Sequence, residues 1–215
     1  MPAYASIPLT AFMGYAIGNF SPAAIIGLIK GYNVHSDGSG NAGASNTVIL
    51  GGKLAGFLVA VLDIIKAWAA WKLAELIAPN VAFAGAIGGT ACTLGHMYPV
   101  LMHFKGGKGF ACLGGVVLGG MPKMFLPALI TAIVIAFACN YICVATCSMW
   151  IICPAVYGWL SGDITGALIL IALAPLVIYK HKVNFARIKQ GKELKMSFLF
   201  NKSKELSRIG VQEDK

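Results

Sequence analysis

Long apolar runs follow one another along this chain, and they decide what it can fold into. A helix that crosses a bilayer needs about 20 predominantly apolar residues. The runs at residues 4–29, 47–77, 81–102 and 125–145 reach that length, and shorter ones lie at 110–121, 148–160 and 164–179. Lipid offers the backbone no hydrogen-bond partners, so segments of this kind must satisfy their own N–H and C=O groups as helices. The expectation is an all-α integral membrane protein, a bundle of about seven transmembrane helices. The fourth and sixth runs are short enough to be half-helices or re-entrant segments. Composition agrees: 58% of residues are hydrophobic and 12% charged, roughly half the charge of a soluble domain. The N-terminus lacks the basic stretch of a cleaved signal peptide, so the first run is expected to stay in the mature protein.

Charge gives the orientation. Residues 180–215 hold 10 of the 17 Lys and Arg residues and 4 of the 8 acids. A basic segment directly after an apolar run reads as a cytoplasmic anchor to anionic lipid rather than a nucleic-acid site. With seven spans and a cytoplasmic C-terminus, the N-terminus including position 2 falls outside. The loops at 30–46 and 103–109 fall inside with Lys30, Lys105 and Lys108. Residues 1–195 then form one polytopic domain and 196–215 a basic cytoplasmic tail. Small-xxx-small pairs at Gly27/Gly31, Gly52/Gly56, Gly115/Gly119 and Gly158/Gly162 suit close helix contacts.

Six cysteines lie in or beside the apolar runs, with no CxxC pair and no clustered histidines. Cys139, Cys143 and Cys147 share a helical spacing that puts them on one face. They read as small packing residues, and no metal site is expected. Asp63 and Lys66, one turn apart in the second run, are costly in lipid and read as a self-neutralising pair or a functional one.

Three polar segments are not explained by packing. Residues 37–46 read DGSGNAGASN, whose glycines allow an anion-binding nest of backbone N–H groups, with Ser39, Asn41, Ser45 and Asn46 as further donors. A helix starting at about Asn46 or Thr47 aims its positive end at the same place. Residues 95–109 end in FKGGKG, where Lys105 and Lys108 flank Gly106 and Gly107 and precede Gly109. Two cations and exposed amides in one loop suit a phosphate. The loop is not a Walker A sequence, because Met102 and Gly109 stand where that motif needs Gly and Ser or Thr. Residues 181–195 carry His181, Asn184 and Arg187 on one face if the last helix runs on. An imidazole and an amide so spaced suit a substrate hydroxyl.

Together these segments resemble the signature motifs of the bacterial acyl-phosphate:glycerol-3-phosphate acyltransferase family. GSGNxGAxN matches Gly38 to Asn46, with Ser45 where Thr is common. GHxxP followed by FKGGKG matches Gly95, His96, Pro99 and residues 104–109. HxxNxxRxxxGxExK matches His181, Asn184, Arg187, Gly191, Glu193 and Lys195, and Asp63 and Lys66 match a D-x-x-K. The likeness runs from about Gly18 to Lys195. One departure stands out: Ile49 occupies a position where the family usually has Arg, with Lys53 one turn further on.

The resemblance implies a multi-pass enzyme of the bacterial cytoplasmic membrane, active on the cytoplasmic side in the first acylation step of phospholipid synthesis. It implies transfer of a fatty acyl group from acyl phosphate to the 1-hydroxyl of glycerol 3-phosphate, without metal, cofactor, CoA or acyl carrier protein. Ser39, Gly40, Asn41 and Asn46 would bind one phosphate, and Lys105, Gly106, Gly107, Lys108 and Gly109 the other. His181 and Asn184 would place the acceptor hydroxyl, supported by His96, Arg187 and Glu193. Either His181 or a substrate phosphate would take the proton. The H-x-x-x-x-D pair of CoA- and carrier-dependent acyltransferases is missing after all four histidines. The rival reading is a small-anion transporter or channel built from the same basic loops, although no inverted repeat is visible. A membrane scaffold would need none of the three segments.

Overall fold

The computed structural model describes residues 3–209. Position 2 and the last six residues of the basic tail, with the expectations placed on them, lie outside the described residues. In chain order the helices are α1 (Ala3–Gly18), α2 (Pro22–Lys30), α3 (Ala44–Gly51), α4 (Lys53–Ile77), α5 (Ala84–Met97) and α6 (Phe110–Gly120). They continue with α7 (Phe125–Cys139), α8 (Ile142–Ser161), α9 (Ile164–Ile171), α10 (Ala174–Lys180), α11 (Lys182–Lys189) and α12 (Lys202–Arg208).

Among the described residues, Ala5–Lys30, Lys53–Ile77, Pro122–Cys139 and Ile142–Ser161 are long and apolar enough to cross a bilayer. A fifth such stretch is Ile164–Lys180 with α11, which bends away from it by 45°. The outward face of α7 (Leu126, Leu129, Ile130, Ile133, Val134 and Phe137) is exposed. A surface this apolar makes physical sense only against lipid. The expected third and fourth spans are the short ones: α5 has 14 residues and α6 has 11. Both are largely buried and pack against α4, so they fill the centre of the bundle.

Several boundaries differ from the sequence expectation. The first run breaks at Asn19–Ser21, where the Ser21 side chain accepts from the Ala24 N–H and Pro22 opens α2. The second breaks at Gly52, whose φ of 90° no helix accommodates. The helix after the glycine-rich loop starts at Ala44, earlier than expected. Asn140, with φ of 65°, ends α7; the break falls there and not between residues 145 and 148. The expected short sixth segment is therefore part of the 20-residue α8. The same break separates the three cysteines. Cys139 lies exposed on α7, while Cys143 and Cys147 are buried on α8.

Glycine sets how closely the central helices meet. A Cβ on Gly14, Gly18 or Gly95 would lie within 2.5 Å of a carbonyl oxygen across the α1–α5 contact. Of the expected pairs, Gly115/Gly119 does work this way, against Ile64 and Trp71 of α4. Gly31, Gly52 and Gly162 instead end helices at positive φ.

Candidate active site

The break between α1 and α2 explains the buried charges. A helix that stops inside the bundle leaves carbonyls without partners, and a cation suits that end of the dipole. The Lys66 ammonium donates to the Phe20 carbonyl at 2.7 Å and lies 3.5 Å from that of Gly18. It also pairs with Asp63 at 2.7 Å and meets His96 Nδ1 at 3.0 Å. His96 Nδ1 also lies 3.4 Å from the Asp63 carboxylate. Asp63 and Lys66 therefore form a triad with His96, not an isolated pair. Asp63, His96 and Cys112 bring possible metal-ligand atoms within 4.8 Å of one another. With Lys66 against two of them, that group already has its cation.

His96 passes this rigidity to the FKGGKG loop. The Gly107 N–H donates to the His96 carbonyl at 3.0 Å. A Cβ on Gly107 would lie 2.2 Å from His96 Nε2 and 3.0 Å from the Ala42 carbonyl, and one on Gly106 2.0 Å from the His96 carbonyl. Only glycine lets this backbone run so close. His103 and Phe104, at φ of 50° and 61°, make the left-handed turn that leads into the loop. Such a conformation costs energy in non-glycine residues. Gly109, at φ of 84°, closes the loop, and the buried Trp150 indole donates to its carbonyl at 3.2 Å.

The glycine-rich loop touches this one. Asn46 is fully buried and holds the loop's shape. Its Oδ1 accepts from the Ser39 N–H at 2.7 Å, and its Nδ2 donates to the Val34 and Asp37 carbonyls at 3.1 Å. Its side chain is therefore engaged within the protein, unlike the phosphate donor expected. Asn41 is half-buried, as is Ser39, and Gly40 is exposed at φ of 70°. Burial and the nearby Lys105 ammonium both push the His35 imidazole below its ordinary range. The Ala42 carbonyl beside Gly107 brings the two loops together.

The third segment closes the site. Lys108 donates to Asn184 Oδ1 at 2.6 Å, and Asn184 Nδ2 donates to Glu193 at 2.6 Å. Burial lowers the Lys108 pKa, Glu193 raises it again, and the Arg187 guanidinium lowers it. His181 sits buried at the bend between α10 and α11. Its Nδ1 lies 2.8 Å from the Val177 carbonyl. A carbonyl only accepts, so Nδ1 carries the proton and Nε2 of the neutral ring is an acceptor.

The three segments thus meet at one end of the bundle. One feature was missed in the sequence. Lys180 adds a cation, its ammonium 4.3 Å from the centre of the Tyr98 ring, and its place beside His181 was the only signal. Lys53, one turn beyond Ile49, donates to the Leu199 carbonyl at 3.1 Å. Of the expected tail, the described residues 196–209 dock on the bundle: Phe198 is buried and the Met196 N–H donates to Asn140.

Known proteins share this fold. The family model for glycerol-3-phosphate acyltransferase matches residues 8–191. The chain is similar to a glycerol-3-phosphate acyltransferase of Paraburkholderia phymatum, 34% identical over 189 residues, covering 86% of this chain and 90% of that one. It is also similar to glycerol-3-phosphate acyltransferase 1 of Oceanobacillus iheyensis, 33% identical over 201 residues, covering 90% and 97%. Among solved structures it resembles PlsY (YgiH), an integral membrane glycerol 3-phosphate acyltransferase, in its glycerol 3-phosphate form. The TM-score there is 0.81 at 30% identity, covering 91% of this chain and 98% of that one.

Proposed function

This chain belongs to the glycerol-3-phosphate acyltransferase family, and from that premise we propose that it moves a fatty acyl group from acyl phosphate to the 1-hydroxyl of glycerol 3-phosphate. The products are lysophosphatidate and inorganic phosphate. The reading is carried by one observation: Lys108 of the basic loop and Asn184 of the third segment meet at 2.6 Å. A phosphate grip and a hydroxyl-orienting group then share one site.

Lys105, Lys108 and the amides of Gly106 and Gly109 hold one phosphate, in a loop whose Gly107 N–H is engaged by the His96 carbonyl and so is not the phosphate donor expected. Ser39, Gly40 and Asn41 hold the other, in a loop that Asn46 keeps in shape. Charge-assisted bonds of this kind are about twice as strong as neutral ones. An apolar groove lined by Ile26, Ile29, Leu54 and Leu58, three of them exposed, suits the acyl chain.

Asn184 fixes the Lys108 ammonium and keeps one N–H and one lone pair for substrate. His181 Nε2 accepts the hydrogen bond of the 1-hydroxyl and aims its oxygen at the acyl carbon. As the new C–O bond forms, the bond from the acyl carbon to the phosphate oxygen breaks. An imidazolium at His181 would face the Lys108 cation, so the hydroxyl proton leaves with the phosphate. The site faces the cytoplasm of a bacterial inner membrane, on the side that carries the bases. Family membership decides against the transporter alternative.

The test offers purified protein glycerol 3-phosphate with acyl phosphate, acyl-CoA or acyl carrier protein. Ester should form with acyl phosphate alone. Comparable rates with acyl-CoA would overturn the donor assignment.

A further inference from the structure

The family match ends at residue 191, yet Glu193 receives its backbone support from residues beyond it. The Arg208 guanidinium donates to the Gly191 carbonyl, and through Nη2 to the Glu193 carbonyl at 2.6 Å. It reaches across 15 residues of sequence to do so. Glu205, only 5% exposed, holds Arg208 in place through Nε at 2.8 Å. The same carboxylate accepts from the Lys195 N–H at 3.1 Å and the Ser197 hydroxyl at 3.3 Å. The whole unit is docked on the bundle. The Met196 N–H donates to Asn140 Oδ1 at 3.1 Å, Phe198 is buried, and the Phe200 ring lies 6.0 Å from that of Phe137.

A planar fork that spans two carbonyls fixes both position and orientation, which a lysine cannot do. What it fixes here is the turn that begins at Gly191, at φ of 68°, and carries the Glu193 side chain to Asn184. From Arg208 a continuous chain of bonds runs through the Glu193 backbone and carboxylate to Asn184 and Lys108. We propose that residues 195–208 form a clamp in which Arg208, held by Glu205, positions Glu193 and through it the Lys108 phosphate ligand. The clamp rests on the reading of Lys108 given above. Arg208 is a positioning residue and touches no substrate.

Small displacements of a positioned group cost large factors in rate. Arg208→Ala should lower kcat/KM by roughly tenfold, while Lys204→Ala, which removes an exposed charge from the same helix, should leave it unchanged. The decisive measurement is the coupling to Glu193. If Arg208 acts through it, Arg208→Ala should cost almost nothing further in a Glu193→Ala background, because residues in one network are not additive. Full additivity would overturn the proposal. Hydrogen exchange gives a readout independent of turnover: Arg208→Ala should speed exchange in residues 190–195 and leave α8 as it was. Unchanged exchange in that turn would overturn the clamp even if the protein turned over no acyl phosphate at all. Faster exchange with unaltered kcat/KM would overturn its positioning role. If Arg208→Ala loosens α8 as well, Arg208→Lys keeps the charge without the fork, and the same outcomes are read from that variant.

Discussion

Replacing Lys108 with methionine keeps the aliphatic stem and removes only the ammonium. In the free protein the change deletes the 2.6 Å bond to Asn184 and leaves Glu193 with Asn184 as its remaining side-chain partner. In the complex it deletes a cation from the phosphate. A hydrogen bond to a charged group is worth about 1.5–3 kcal/mol, and each 1.36 kcal/mol is tenfold in rate. The expected loss in kcat/KM is therefore roughly tenfold to a hundredfold. Stability should move little, because the burial cost that a neutral side chain escapes offsets the cation that buried Glu193 loses, with Asn184 still bonded to it. The assay is steady-state formation of lysophosphatidate in lipid bicelles, with thermal unfolding of the same samples. Lys123→Met is the control. It removes an exposed lysine just past the far end of α6, about 16 Å along a helix of that length. Equal kcat/KM in the two variants would refute the assignment of the FKGGKG loop to phosphate. A large fall in melting temperature for Lys108→Met alone would refute the energetic argument.

Gly107→Ala should reduce both activity and stability, since its Cβ would press on buried His96. Overpacking of this kind costs about 1–3 kcal/mol, readable as a fall in melting temperature. Lys66→Met should strand the Asp63 carboxylate and the Phe20 carbonyl, costing about 3–5 kcal/mol. The double variant with Asp63→Asn should recover part of that loss, and no recovery would mean the pair does not act as a unit. Cysteines introduced at positions 40 and 190 should react with an impermeant reagent from the cytoplasmic side, and one at 123 from the opposite side. Labelling of 40 and 123 from the same side would break the topology.

Much of the site was legible because its chemistry needs unusual residues. Two lysines around two glycines in a membrane loop have no packing explanation, and the structure sets Gly107 against His96 and Lys108 against Asn184. The apolar runs likewise marked most of the helices. Their breaks were less legible, because a single residue ends a helix inside an unbroken apolar run. Asn140 and Gly52 do so by adopting positive φ, which hydrophobicity does not report. Asn46 was assigned to phosphate because an amide in a polar loop suits a ligand as well as a turn; only its three bonds to the loop distinguish the two. The joining of His96 to Lys66 spans 30 residues and leaves no local pattern. Arg208 was hidden for another reason: among so many bases, one that grips carbonyls looks like any other.

In the proposed reaction one site holds both phosphates while an acyl group passes between them. Purified protein in sealed vesicles, given acyl phosphate and labelled glycerol 3-phosphate, tests it directly. One inorganic phosphate should be released for each lysophosphatidate formed, with both lost together in Lys108→Met. Movement of glycerol 3-phosphate into the vesicle lumen without ester formation, or phosphate release that does not depend on glycerol 3-phosphate, would contradict it.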